Sequence, residues 1–256
     1  MILVVDVGNT NTVLGLMIGT EVMHTFRVST IMRTTDELGL LMVGLFATRG
    51  IDRHEIKGAI IGTVVPSVLY EIQKAIRRYL EIEALVVGRK LKTGIRVRTD
   101  NPREVGADRI VNAVAGIAKW GAPIVVVDFG TATTFDCVDS AGDFVGGAIA
   151  PGFRISEEAL VNRTAQLPRI EVQRPPAAIG KNTVHAMQSG FLFGYAGLVD
   201  ALARRIRAEL GGTAKVVATG GLSTMIAAES EVIEEVDVHL TLRGLALLYD
   251  RNGSER

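Results

Sequence analysis

Short apolar runs closed by polar, glycine-bearing turns alternate along this chain with stretches of helical spacing. Residues 2–7 and 12–17 are two such runs, joined by Gly8-Asn9-Thr10-Asn11, and residues 22–28 form a third. Runs of this length, rich in β-branched side chains, predict strands. Thr34 and Glu37 then have the spacing of a capping box, which predicts a helix from there to about Arg49. Residues 58–65 (GAIIGTVV) read as a buried strand. Pro66 suits the first turn of a following helix, in which Val68, Leu69, Ile72, Ile76 and Leu80 recur on one face. Residues 84–87 form a short strand and 94–98 an extended segment. Pro102 interrupts regular structure before Ile110, Val111, Val114 and Ile117 mark a helix that ends near Trp120.

Gly121-Ala122-Pro123 is the natural boundary, dividing the chain into domains 1–120 and 121–256. The unbroken apolar run at 124–128 predicts a strand buried on both faces. A strand to Val138, a turn at Ser140-Ala141-Gly142 and the run FVGGAIA follow, repeating the strand–turn–strand–turn–strand order of the N-terminus. A helix is expected over about 155–164, and Pro168, Pro175 and Pro176 mark an irregular connection. Asn182-Thr183 opens a long helix to about Leu210, with Thr183 a possible cap. Its glycines, Gly190, Gly194 and Gly197, lie on overlapping faces. Each costs up to about 1 kcal/mol against alanine, so close packing on another backbone is expected there. Residues 215–223 form a strand ending in Gly220-Gly221 before a short helix, and an amphipathic helix closes the chain at about 241–250.

Two of the turns repeat one phrase. VVDVGNTNT and VVDFGTATT both read V-V-D-x-G-x-x-x-T, and their aspartates, Asp6 and Asp128, stand 128 − 6 = 122 residues apart, close to half of the 256. Glycine lets a backbone approach another group closely, and a turn of hydroxyls, amides and exposed N–H groups suits phosphate oxygens. A carboxylate at its edge suits a metal ion, directly or through water. Gly220-Gly221, between a strand and a helix N-terminus, is a third turn of the same kind. Asp108 falls at the start of the helix beyond Gly106 and, considered alone, reads as a cap. Yet Asp100, Asn101, Arg103, Glu104, Asp108, Arg109 and Asn112 crowd around that glycine, more polar groups than one cap needs.

Composition narrows the function classes. Lys plus Arg and Asp plus Glu are 28 each, which argues against a generally basic nucleic-acid surface and against an acidic disordered tail. At 48% hydrophobic, the chain can bury a sizeable core. The single cysteine, Cys137, excludes an internal disulfide and a multi-cysteine metal site, and fits a reducing cytoplasm. No signal peptide or membrane span is visible, so a cytoplasmic protein without membrane partners is expected. There is no G-x-x-x-x-G-K-[ST] and no G-x-G-x-x-G after a strand, which removes the P-loop and dinucleotide-binding readings. Asp128-Phe129-Gly130 spells a protein-kinase triplet, but the other kinase motifs are missing.

Two α/β halves, each ending buried strands in polar turns, match the actin-like ATPase superfamily, which also holds sugar kinases. The match implies duplicated actin-like (ribonuclease H-like) domains with a nucleotide cleft between them. Within it, the chain resembles the type III pantothenate kinases over essentially its whole length. The resemblance is carried by DVGNTNT at the start, RTTDE at 33–37, NPREVGADRIVNA at 101–113, VDFGTATTFD at 127–136, GGAIAPG at 146–152 and ATGG at 218–221. It implies ATP-dependent phosphorylation of pantothenate, the first step of coenzyme A synthesis. ATP phosphates would be held by Asp6, Val7, Gly8, Asn9, Thr10, Asn11, Thr12 and Val13, with Asp6 near the magnesium, and by Thr131. Gly106, Ala107, Asp108, Arg109 and Thr183 would bind pantothenate, with Asp108 as the general base. Asp128 would sit at a monovalent-cation site for potassium or ammonium, in a homodimer. One departure stands out: the family commonly has tyrosine before Asp100-Asn101-Pro102, and this chain has Thr99. A nucleotide-binding regulator of the same fold that lost turnover is the alternative from another class, and the retention of Asp108 counts against it.

Overall fold

The computed structural model describes residues 1–88 and 90–253. The first half opens with β1 (Ile2–Val7), β2 (Asn11–Ile18) and β3 (Glu21–Ser29), followed by α1 (Thr35–Ala47), β4 (Ala59–Thr63), α2 (Pro66–Leu80), β5 (Ala84–Val86) and α3 (Ala107–Trp120). The second contains β6 (Ile124–Phe129), β7 (Ala132–Val138), β8 (Phe144–Pro151), α4 (Phe153–Arg163), α5 (Thr183–Glu209), β9 (Lys215–Gly220), α6 (Ser223–Ala227), β10 (Glu235–Val236) and α7 (Leu240–Gly253). Local chemistry sets the starts of these helices. Thr34 caps α1 as the spacing predicts: its hydroxyl accepts from the Glu37 N–H, and the Glu37 carboxylate accepts from the Thr34 N–H at 2.7 Å. Pro66 opens α2 at a position where its missing N–H costs nothing. Asn182, not Thr183, caps α5; its Oδ1 accepts from the His185 N–H at 2.8 Å, and Thr183 is the first helical residue.

Two five-stranded sheets have the same topology. In one the order is β3-β2-β1-β4-β5, and in the other β8-β7-β6-β9-β10. In each, the first three strands pair antiparallel and the last two join in parallel to the central one. The central strands are apolar through their middles, as burial on both faces requires: Leu3, Val4 and Val5 in β1 and Val125, Val126 and Val127 in β6 have no exposed surface. This repeat is the duplicated α/β architecture expected from the paired turns. The two-residue β10 lies outside the expected elements. It is held by its register with β9, Glu235 opposite Val217, and carries too few apolar positions to be read as a strand.

The chain divides into two compact units. One comprises Met1–Gly94, Arg103–Ala115 and His239–Arg256; the other comprises Ile95–Pro102 and Gly116–Val238. The C-terminal helix α7 therefore belongs with the N-terminal sheet. Small residues allow this. Leu242 fills the space over Gly15, Leu245 lies over Gly62, and Gly244 brings α7 against the backbone of Val111 in α3. The core of this unit is built around Phe46, Met42, Ile61 and Ile76. That of the other is built around Phe135, Phe153, Phe191 and Tyr195. The α5 glycines differ from expectation: a β-carbon on Gly190, Gly194 or Gly197 would meet nothing within 4 Å, so none of the other described segments packs closely there. Among the described residues, no helix is long and apolar enough to cross a membrane.

Candidate active site

The candidate residues fall into separate groups, each set by its own local structure. In the first unit, Asp6 is the penultimate residue of β1, opposite Val13 on β2 and Gly62 on β4. It thus lies at the carboxyl end of the parallel pair, where open α/β sheets bind ligands. Val7 pairs with Thr12, leaving residues 8–11 as the loop. That loop is closed by the Gly8 N–H donating to the Asn11 carbonyl at 3.0 Å. The Thr10 carbonyl accepts from the Thr30 N–H at 3.0 Å, and the Thr12 and Thr30 hydroxyls share a hydrogen bond of 2.9 Å. Asn9 and Thr10 are exposed at the tip, while Thr12 is buried. The loop is thus anchored at its base and presents polar groups at its tip.

The second unit carries the counterpart. Asp128 is the penultimate residue of β6, opposite Thr134 on β7 and Thr219 on β9. Here Phe129 pairs with Thr133, and only residues 130–132 form the loop, closed by the Gly130 N–H on the Ala132 carbonyl at 3.0 Å. The second hairpin is one residue shorter than the first. By strand register the counterpart of Thr12 is therefore the buried Thr133, and not Thr134 as alignment on the aspartates suggests. Two glycines from elsewhere enclose this turn. Gly220 has φ +92°, and a β-carbon there would lie 2.6 Å from both Asp128 Oδ1 and the Phe129 carbonyl oxygen. Gly152 packs on the backbone of Thr131 and Gly130. The sequence offers GGAIAPG only as a motif; the role of its last glycine becomes visible in the fold.

Asp108 occupies the first turn of α3. The Gly106 carbonyl accepts the helix's opening bond from the Ile110 N–H at 3.3 Å. The Asp108 carboxylate turns back, its Oδ1 accepting from the Arg109 N–H at 2.8 Å and lying directly over Gly106, where a β-carbon would overlap it. Asp108 therefore stands one residue inside the helix, its carboxylate on the N–H of the next residue and not on one two or three residues on as an N-cap would have it, while Gly106, Ala107, Asp108 and Arg109 all remain half-buried at the surface of the unit. One turn on, the buried Asn112 accepts from the Thr241 hydroxyl at 2.8 Å, which ties α3 to the start of α7.

Thr183 and Thr99 belong to the second unit. Thr183 is exposed at the polar end of a groove of about 880 Å³ along α5, whose walls include Leu160, Met187, Phe191 and Tyr195. Thr99 ends an extended strap. Phe144 receives a hydrogen bond from the Arg98 N–H and donates one to the Arg96 carbonyl, both 2.8 Å, and the Arg96 Nε lies 2.9 Å from the buried Asp143 carboxylate. The Thr99 hydroxyl oxygen is buried without a hydrogen-bond partner among the described residues.

Among the described residues, no three His, Cys, Asp or Glu side chains cluster into a metal cage. The donors present suit ions of a different kind. One carboxylate, Asp6, beside a polar loop fits magnesium, which keeps water and takes most other ligands from phosphates. Asp128 Oδ1 and the Phe129 carbonyl oxygen both lie close against Gly220, so the acceptors at this turn are a carboxylate and a carbonyl, the oxygen donors that hard cations take.

Comparison with known proteins bears on the family and the fold. Residues 2–205 match the family described as type III pantothenate kinase. The type III pantothenate kinase of Myxococcus xanthus is 49% identical over 253 residues, covering 98% of this chain and 99% of its own. That of Geotalea daltonii is 51% identical over 253 residues, covering 98% and 99%. Among solved structures, a Campylobacter jejuni protein described as a candidate Baf family transcriptional activator aligns with TM-score 0.62 at 20% identity, covering 99% of this chain and all of its own. A ROK family glucokinase from Streptomyces griseus, solved with glucose and AMPPNP, aligns with TM-score 0.53 at 13% identity over 98% of this chain and 99% of its own. At these identities the structural likenesses speak to the fold, which is that of the actin-like and sugar-kinase group.

Proposed function

The chain belongs to the type III pantothenate kinase family, and we propose that it transfers the γ-phosphoryl group of ATP to the primary hydroxyl of pantothenate, opening coenzyme A synthesis. In this reading the hydroxyl oxygen bonds to the γ-phosphorus, the bond from that phosphorus to the ADP oxygen breaks, and the hydroxyl proton passes to Asp108. The loop at residues 6–13 holds the phosphates through N–H, amide and hydroxyl groups, and Thr131 adds a contact from the second turn. Arg109 binds the pantothenate carboxylate, with Gly106, Ala107 and Thr183 lining the acceptor. Magnesium reached by Asp6, directly or through water, and potassium or ammonium beside Asp128 would supply the positive charge that phosphoryl transfer needs.

The observation that carries this reading is Asp108 folded over Gly106 in the first turn of α3, in the same compact unit as the Asp6 loop. A regulator without turnover is not favoured, because the full-length relatives at 49% and 51% identity are described as kinases. We further read the halves 1–120 and 121–256 as the duplicated domains, with α7 returning to the first sheet, and the protein as a cytoplasmic homodimer. The test is direct. With ATP, magnesium and potassium, pantothenate should be converted to phosphopantothenate, detected by mass. ATP turnover with another hydroxyl compound but not with pantothenate would overturn the acceptor assignment. ATP binding with no transfer to any acceptor would favour the regulator.

A further inference from the structure

Gly152 stands where β8 ends and α4 begins, and its backbone does not require glycine. Its φ of −73° and ψ of 158° suit any residue. What excludes a side chain is the second D-x-G turn. A β-carbon on Gly152 would overlap the Thr131 carbonyl oxygen and lie 2.7 Å from its carbonyl carbon and 2.8 Å from the Gly130 carbonyl oxygen. All three are backbone atoms, so none can swing aside as a side-chain tip would. Gly152 is itself held from the other side. The neighbouring Pro151 carbonyl accepts from the Tyr195 hydroxyl at 3.0 Å, and the same hydroxyl shares a 2.6 Å hydrogen bond with Ser156 Oγ. The Ser156 N–H returns to the Gly152 carbonyl at 3.0 Å. Tyr195 is buried, with ring centroids 5.3 Å from Phe153 and 6.4 Å from Phe191, so the strut has a rigid foot in α5.

We propose that Gly152 is a positioning residue for the turn that carries Asp128 and Thr131, and that Tyr195 braces it. The proposal rests on the reading of that turn as facing nucleotide and cation. The turn is a three-residue loop closed by one internal hydrogen bond, so the surface it rests on fixes where its groups point. Pro151 pairs with Ala132 at the base of the same loop, so β8 meets the turn at both Ala132 and Thr131.

Gly152→Ala must push the Thr131–Gly130 backbone away, and Tyr195→Phe removes the brace while keeping the ring. A misplacement of about 1 Å at a reacting centre is worth roughly 100-fold in rate. For Gly152→Ala, kcat/KM for ATP should fall by about that factor. The potassium concentration for half-maximal activation should rise at least about tenfold, with the KM for pantothenate unchanged. Tyr195→Phe should move both quantities the same way by about fivefold, the size of one lost neutral hydrogen bond. Calorimetry with a non-hydrolysable ATP analogue in potassium and in sodium gives a second readout independent of turnover: the potassium preference of nucleotide binding should shrink in both variants. Wild-type ATP and potassium responses in the variants would overturn the proposal, as would an equal loss toward pantothenate and ATP, the mark of general loosening. If Gly152→Ala does not fold, Tyr195→Phe decides. If the unaltered protein ignores pantothenate, the acceptor assignment fails, while the calorimetric comparison still tests the brace.

Discussion

Replacing Gly106 with alanine places one methyl group against the proposed base. The new carbon would overlap Asp108 Oδ1; its next neighbours, Asp108 Cγ and Val64 Cγ1, stand at 3.6 Å, an ordinary contact distance. Only the carboxylate has to yield. In doing so it gives up its 2.8 Å hydrogen bond from the Arg109 N–H and moves by on the order of 1 Å. The stability cost of that bond, about 0.5–1.5 kcal/mol, is offset by the roughly 0.4–1 kcal/mol that alanine gains over glycine through the unfolded chain. The melting temperature should therefore barely change. Catalysis is more sensitive: a 1 Å displacement of a reacting group costs roughly 100-fold, or about 2.7 kcal/mol of barrier. The assay is ADP release coupled to NADH oxidation, with pantothenate saturating, beside a thermal melt of the same preparation. The expected result is a kcat lowered about 100-fold with the KM for ATP and the melting temperature retained. Wild-type kcat in a folded Gly106→Ala protein would refute the reasoning, because the carboxylate position set by Gly106 would then be irrelevant to transfer.

Four further outcomes are expected. Gly244→Ala drives a β-carbon into the Val111 carbonyl and 2.7 Å from Val111 Cγ1, so it should destabilise by about 1–3 kcal/mol in a denaturant titration; an unchanged midpoint would contradict the close packing of α7 on α3. Thr34→Ala removes the α1 cap and should cost about 1 kcal/mol by the same measurement. The Thr34 backbone N–H, and then its hydroxyl, hold the Glu37 carboxyl below its ordinary range. A depressed folded value means a contribution present above the ordinary glutamate range and lost as pH falls through the folded one, so the penalty of Glu37→Gln should be largest near neutrality and vanish in acid. Sodium in place of potassium should reduce turnover, and equal rates in the two would contradict the role given to Asp128.

The sheets were readable because burial leaves a plain record. The apolar runs at 2–7, 58–65 and 124–128 correspond to the central strands, and the two aspartates end equivalent strands. The capping box at Thr34 was readable because its two bonds lie within four residues. What the sequence hid depends on long-range geometry. The second hairpin is a residue shorter than the first, which shifts the matching threonine from Thr134 to Thr133, and only strand register reveals it. The return of α7 to the first sheet depends on Leu242 and Leu245 meeting Gly15 and Gly62, residues more than 180 positions away. Gly152 and Gly106 look like any turn glycine until the atoms over them are known. The α5 glycines mislead in the opposite sense, since their spacing suggests a close neighbour that none of the other described segments supplies.

Asp108→Asn offers the most direct measurement. The amide keeps the size of the carboxylate and an oxygen to accept the Arg109 N–H, but it cannot take a proton from the acceptor. With enzyme in excess over labelled ATP, and pantothenate and potassium saturating, the single-turnover rate should fall by about 10²–10⁴ while both substrates still bind with near-normal affinity by calorimetry. A transfer rate within tenfold of the unaltered protein would show that proton removal at Asp108 is not how this kinase works.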